Sequence, residues 1–526
     1  PMCNDEGKLP PIDSLTKLDL RRIKTLEQLH VLSRHGSRVG DHSVLSVFPN
    51  MNTSLPNTKW QCNFTTVSAR DYDDRNWISL QKNYVEDEQV TGGNCKDSQS
   101  IYKAVRQHEL NAHLLREYYI DGKPYSLMTR KEFDEIIDDV FVHKKYPDNN
   151  TPFIKIITTD LERCLTSVSV FMTHLLQREY NKDFATPMDR YLYVYTHDEK
   201  SDPYTPQKNA QCRNLDKWMK YVQAQSADFQ QWINSQEVQQ FFDEYESEVG
   251  YNLRDRDAYK LCANIVWMYC GGIELIPNLL SQPLFDKVHN FTLEYRKRLL
   301  HSGALSERTT RLATMPFAWI LKTLISDHVY YLKGQTDKIN GYMEAEQAKL
   351  IFHSTRGIST LYFLAALGIG DGREPVYANL VNFEIYSSRD NATAADDEFD
   401  GYLFRITKMG KFLPFPGCEQ DYMNGAGTLC KLSVFIDRLK DLAMPLKEWE
   451  PYCADKVADY YGKKKHKKSL FSFLSVDTEE DEAGGVHAMD TWHFVVGVLF
   501  GAVLMWMMDR MKYFRNMFKT EYTAIN

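Results

Sequence analysis

The sequence predicts an α/β protein, an open sheet flanked by helices, followed by one C-terminal transmembrane helix. Three observations lead there. Apolar strand-like runs end in polar turns that open onto helical patterns, at 26–33 (LEQLHVLS), 153–158 (FIKIIT) and 349–352 (KLIF). The chain has 526 residues and is 43% hydrophobic, enough for a large core divided among two or three domains. Near its end, residues 492–508 (WHFVVGVLFGAVLMWMM) are apolar all round.

The first run leads into Arg34-His35-Gly36-Ser37-Arg38, an imidazole between two guanidiniums at the carboxyl end of a strand, where open α/β sheets place their ligands. Like-charge repulsion would depress the His35 pKa and keep the ring neutral and nucleophilic. The arginines offer forked donors suited to a phosphate or carboxylate. Alone, this segment is equally a surface loop with incidental charge. The second run ends at Thr159-Asp160-Leu161-Glu162-Arg163, with a helical stripe at Leu165, Val168, Phe171, Met172, Leu175 and Leu176. The third passes through His353-Ser354-Thr355 into a helical stretch at 361–367. Three strand ends therefore carry Arg-His-Arg, Arg and His.

A net charge of -8, from 63 basic and 71 acidic residues, gives no electrostatic case for a nucleic-acid partner, so anion binding must be local. Ten cysteines include no CxxC pair, which argues against a zinc ribbon or a thioredoxin-like site and for disulfides. Five Asn-x-Ser/Thr sequons, at Asn52, Asn63, Asn149, Asn290 and Asn391, fit a glycosylating compartment. The chain opens at Pro1 with no charged-then-apolar leader, consistent with a targeting peptide cleaved or not included.

The transmembrane helix is assigned to 491–508. Trp492 and Trp506 lie near its ends, acidic residues 477–482 precede it, and Arg510, Lys512, Arg515 and Lys519 follow it. The positive-inside tendency puts the tail in the cytosol and the large domain on the lumenal or extracellular side. Gly497 and Gly501 form a GxxxG face able to pair helices in a dimer or a larger membrane complex. Before the span, a basic run at 463–468 (KKKHKK) and the acidic stretch read as a solvated stalk.

These motifs resemble the histidine acid phosphatases, the large-cap branch of the histidine phosphatase superfamily, marked by an RHGxRxP loop, a later STDxxR-like turn and a late HD pair. The likeness covers roughly residues 25–455. Phe415-Pro416-Gly417-Cys418, Cys430-Lys431-Leu432, Trp449 and Cys453 follow the family's closing pattern, and 288–292 (VHNFT) resembles a segment of its prostatic and lysosomal members.

The resemblance implies an open mixed sheet flanked by helices, formed by 24–176 and 300–455 with an insertion at 42–100. An inserted helical cap would span 177–299, including the helical patterns at 215–242, followed by a polar stalk at 456–490 and a short tail at 509–526. It implies that His35 attacks phosphorus and carries the phosphoryl group, while Arg34, Arg38, Arg163 and His353 clamp its oxygens. The expected ligand is a phosphomonoester or another anion, with no cofactor or metal. It also implies disulfides Cys62–Cys95, Cys418–Cys430 and Cys212–Cys453, leaving Cys164 a buried thiol.

Two positions depart from the family. Ser354 stands where the proton-donating aspartate of HD is expected, and Gly40 replaces the proline of the loop. A serine hydroxyl cannot supply the leaving group's proton, and Asp41 or Asp371 would have to substitute. Two readings follow: a membrane-anchored phosphatase with impaired general acid catalysis, or a degraded phosphatase fold serving as a structural or binding subunit of a membrane assembly. Tyr522-Thr523-Ala524-Ile525 resembles an endosomal sorting signal, so endosome, lysosome or cell surface is expected, with the mitochondrial inner membrane as the alternative.

Overall fold

The computed structural model describes residues 12–37, 66–70, 77–81, 102–121, 126–128, 131–133, 153–176, 194–197, 201–206, 212, 215–255, 257–270, 280–389, 398–419, 422 and 427–462. In chain order these form strand β1 (Ile23–Arg34), the hairpin β2 (Thr66–Arg70) and β3 (Trp77–Gln81), helix α1 (Tyr102–Tyr119), β4 (Ile154–Thr159), α2 (Glu162–Leu175) and β5 (Tyr195–His197). A helical series follows: α3 (Leu215–Ala224), α4 (Ala227–Ile233), α5 (Gln236–Val249), α6 (Ala258–Cys270), α7 (Gln282–His301), α8 (Ala304–Leu312) and α9 (Met315–Leu332). The chain then returns through β6 (Leu350–Thr355), α10 (Gly357–Leu367), β7 (Leu380–Ser388), β8 (Tyr402–Lys408), β9 (Lys411–Phe412), β10 (Cys430–Lys431), α11 (Leu432–Leu442) and α12 (Leu446–Gly462).

The main sheet has the order β10-β8-β7-β1-β6-β4-β5, with β9 on β8. β1, β6, β4 and β5 run parallel, whereas β7, β8 and β10 add antiparallel neighbours. The parallel half is apolar because helices cover both of its faces, and every residue of β4 and β6 is buried. The two-residue strand period sorts the side chains. Leu32, Ile157 and Ile351 pack on α9, α10 and α11, while Val31, Ile156 and Phe352 pack on α1 and α2. A third cluster joins α5, α6 and α7 through Phe241, Phe242, Val266, Val288 and Phe291, and Tyr377 from the strand side enters it.

A buried ion pair crosses the antiparallel half. Glu384 and Arg405 lie opposite each other on β7 and β8, both 0% exposed, with Arg405 Nε 2.8 Å from Glu384 Oε2. The hydroxyls of Tyr119 and Tyr386 also donate to this carboxylate, which satisfies a charge that would otherwise be costly inside a sheet.

Two of the pairings implied by the family resemblance are closed, Cys418–Cys430 and Cys212–Cys453. Cys164 is a buried free thiol, and Trp449 donates its indole N–H to Leu312 O at 2.8 Å. Cys62 and Cys95 lie outside the described residues, as do Arg38, Gly40, Asp41, four of the five sequons, and everything beyond 462. Asn290 is described, and is exposed on α7. Among the described residues no helix is long and apolar enough to cross a membrane, and the span expected at 491–508 falls outside them. The chain divides into two compact units, 1–457 and 458–526; of the second, only the end of α12 is described.

Candidate active site

The ends of β1, β4 and β6 lie side by side. Arg34 is opposite Thr355, Ser33 is opposite Ser354, and Ser354 is opposite Thr158 on the other side. His35 leaves β1 at this edge and is 3% exposed. Its N–H donates to Thr355 O and its carbonyl accepts from Ala378 N, both at 3.1 Å. Gly36 N donates to Ser167 Oγ at 3.1 Å, and Ser37 donates from both N and Oγ to Gln107 Oε1 at 3.0 Å. The loop is thus pinned by α1 and α2. Gly36 is required there, since a Cβ would come within 2.4 Å of the Ala104 Cβ.

This backbone fixes the imidazole. His35 Nδ1 lies 2.9 Å from Gly36 O, an atom that can only accept, so Nδ1 carries a proton and, in the neutral ring, Nε2 is the nitrogen with the lone pair. Nε2 is thereby held in a set direction.

Arg34 is 5% exposed, with Nη2 3.2 Å from Glu374 Oε1, Nη1 donating to Pro375 O, and its guanidinium 4.4 Å from the centre of the Tyr377 ring. Glu374 also pairs with Arg296. Gly357 makes room for this arginine, because a Cβ there would stand 2.7 Å from Arg34 Nε. Arg163 lies in the first turn of α2, and its carbonyl accepts from Ser167 Oγ, the same hydroxyl that receives Gly36 N. A single serine therefore couples the Arg163 turn to the His35 loop.

The strand period sends His353 and Ser354 to opposite faces. Ser354, fully buried, donates to Cys164 O at 3.3 Å. His353 belongs to a buried chain whose donors can be assigned in sequence. Gln28 Nε2 donates to Ala348 O, which turns its Oε1 toward His30 Nε2 at 2.8 Å; that nitrogen must donate. His30 Nδ1 then accepts from His353 Nε2 at 3.1 Å, and His353 Nδ1 accepts from Tyr204 Oη at 2.7 Å. Both rings are neutral: burial pushes His353 down to about 3, and burial, then His353 and His328, hold His30 well below the usual range. The sequence pattern gave no sign that His30 and Tyr204 occupy both nitrogens of His353.

Sequence reasoning also passed over Arg356, at the N-cap of α10 beside Thr355, although it stands in the same polar turn as His353 and Ser354. Arg163 and Arg356 both act on Cys164, but burial outweighs them and pushes that thiol up to about 11. Of the carboxyls weighed for the missing acid, Asp371 is exposed and accepts from Lys408 and Arg373 N. Asp202 is buried, and burial raises it to about 6 against the hydrogen bonds of Tyr204, Thr159 and Thr205 and the charge of Arg356. Its Oδ1 accepts from Tyr204 N and its Oδ2 from Thr205 Oγ1, so both oxygens serve the 202–205 turn.

Residues 25–266 match the model of the histidine phosphatase superfamily, branch 2. No curated protein matches the chain. Among solved structures, the apo phytase of Hafnia alvei is 12% identical with a TM-score of 0.45, over 81% of this chain and 98% of that one. The phytase of Citrobacter braakii is 12% identical with a TM-score of 0.46, over 80% and 99%. The multiple inositol polyphosphate phosphatase of Bifidobacterium longum, in complex with inositol hexasulfate, is 11% identical with a TM-score of 0.43, over 79% and 93%.

Proposed function

We propose that this member of the histidine phosphatase superfamily, branch 2, hydrolyses phosphomonoesters through a phosphohistidine at His35. The observation that carries the reading is the Nδ1 to Gly36 O hydrogen bond, which in the neutral ring assigns the lone pair to Nε2, the nitrogen that would attack. In the first step Nε2 attacks phosphorus in line, the P–N bond forms, and the ester P–O bond breaks with its electron pair leaving on the alcohol oxygen. Water then cleaves the P–N bond, releasing phosphate and restoring the imidazole. Arg34, Arg38 and Arg163 supply the positive charge this transfer requires. His353 would join them through a rearranged Tyr204–His353–His30 chain.

Ser354 donates to Cys164 O and does not serve the departing oxygen as an acid; among the described residues Asp371 is exposed and paired with Lys408 and both oxygens of Asp202 are taken by its own turn. General acid catalysis is typically worth about 10²–10⁴-fold, so alkyl esters should lag aryl esters by that order. A second reading, in which the fold is kept as a structural or binding subunit of a membrane assembly, draws support from Arg34 held by Glu374 and His353 engaged at both nitrogens. In either reading the chain is anchored through 491–508, with the core lumenal or extracellular.

Hydrolysis of p-nitrophenyl phosphate and β-glycerophosphate, by wild type, His35→Ala and Ser354→Asp, separates the two. Turnover that is lost in His35→Ala, biased to the aryl ester, and raised on the alkyl ester by Ser354→Asp is expected. A silent wild type indistinguishable from His35→Ala would leave the structural reading.

A further inference from the structure

We propose that Glu109, His113 and His174 form a binding site for a divalent transition-metal ion of the zinc type, outside the proposed phosphoryl-transfer chemistry. Glu109 and His113 are four residues apart on α1, so they project from adjacent turns of one helix face. His174 comes from the last turn of α2. One ligand atom from each of the three lies within 4.8 Å of the others. The imidazoles of His113 and His174 have centroids 5.5 Å apart, at 64°.

Two imidazoles and one carboxylate suit zinc and its neighbours, whereas magnesium and calcium prefer all-oxygen sites. Zinc binds such atoms at about 2.0–2.2 Å in tetrahedral geometry, which spaces them about 3.4 Å apart and leaves a fourth position for water. The widest pair must therefore close by roughly 1.4 Å. The ligands can accommodate this by side-chain rotation, because His113 is exposed and the other two are half-buried. Arg106 Nη1, 2.7 Å from Glu109 Oε2, steadies the carboxylate at the rim.

The ion would join α1 and α2 by bonds. These are the helices whose Gln107 and Ser167 hold the loop at 36–37, so the ion would brace the frame that sets His35.

The full chain, stripped with chelator, is titrated with zinc chloride by calorimetry and followed by thermal unfolding. Wild type is expected to bind one more equivalent than the double variant His113→Ala, His174→Ala. Zinc should raise its Tm by several degrees more than that of the variant, with no comparable effect of magnesium. Glu109→Gln, which leaves both imidazoles in place, should weaken this binding at least tenfold. Equal stoichiometry in wild type and the double variant, or unchanged affinity in Glu109→Gln, overturns the assignment.

Discussion

His108 lies on the inner face of α1, 0% exposed, its ring edge-on to Phe171 with centroids 6.4 Å apart. Among the described residues neither of its ring nitrogens has a hydrogen-bond partner, and burial pushes it down to about 3. A folded-state pKa below the unfolded one means that the unfolded chain takes up the proton first. The stability contribution is then complete above the unfolded value and is lost as pH falls toward the folded one. With about 6.5 unfolded and about 3 folded, the loss between pH 7.5 and pH 5 is about 2 kcal/mol. His353 adds a loss of the same size, and His30 acts in the same direction. Asp202, raised to about 6, works oppositely: its contribution is full below the unfolded value and fades as pH rises through the folded one, which returns about 1 kcal/mol at pH 5. The histidines win, and the fold should weaken in acid. His108→Leu isolates one of them. Any packing change it brings is independent of pH, so urea unfolding at the two pH values should show the variant gaining about 2 kcal/mol on wild type as pH falls. Parallel curves, with a constant difference at both pH values, would refute the reasoning.

Other substitutions probe the frame around the site. Gly357→Ala brings a Cβ to 2.7 Å from Arg34 Nε and should displace the guanidinium, lowering kcat/KM on an aryl phosphate by roughly 10²-fold with little change in Tm. Glu384→Gln leaves Arg405 buried without its partner charge, and equilibrium unfolding should show a loss of about 3–5 kcal/mol. Replacing Cys212 and Cys453 together by serine removes a link across 241 residues and should cost about 2–4 kcal/mol, read as a lower Tm than that of oxidised wild type.

The parallel half of the sheet was legible because its strands are buried on both faces and therefore read as unbroken apolar runs ending in polar turns. β7 and β8 were not. Asn382, Glu384 and Arg405 interrupt their apolar pattern, and nothing local reveals that the two charges meet across the ladder and neutralise each other. At the site, the position of His35 at a strand end followed from the sequence, whereas its tautomer did not, since that depends on the carbonyl of Gly36 being turned back by α1 and α2. The opposite facing of His353 and Ser354 follows from the strand period alone. The partners each then finds, Tyr204 from 149 residues away and Cys164 O from 190, are long-range facts of packing.

The central claim concerns one bond, P–N at His35, and rapid quench of the protein with p-nitrophenyl phosphate addresses it directly. Alkaline denaturation, which preserves phosphohistidine, followed by peptide mapping should find the phosphoryl group on the segment containing His35, at a level that His35→Ala abolishes. Hydrolysis with no phosphoryl group on that segment, or with equal labelling in His35→Ala, would contradict the account.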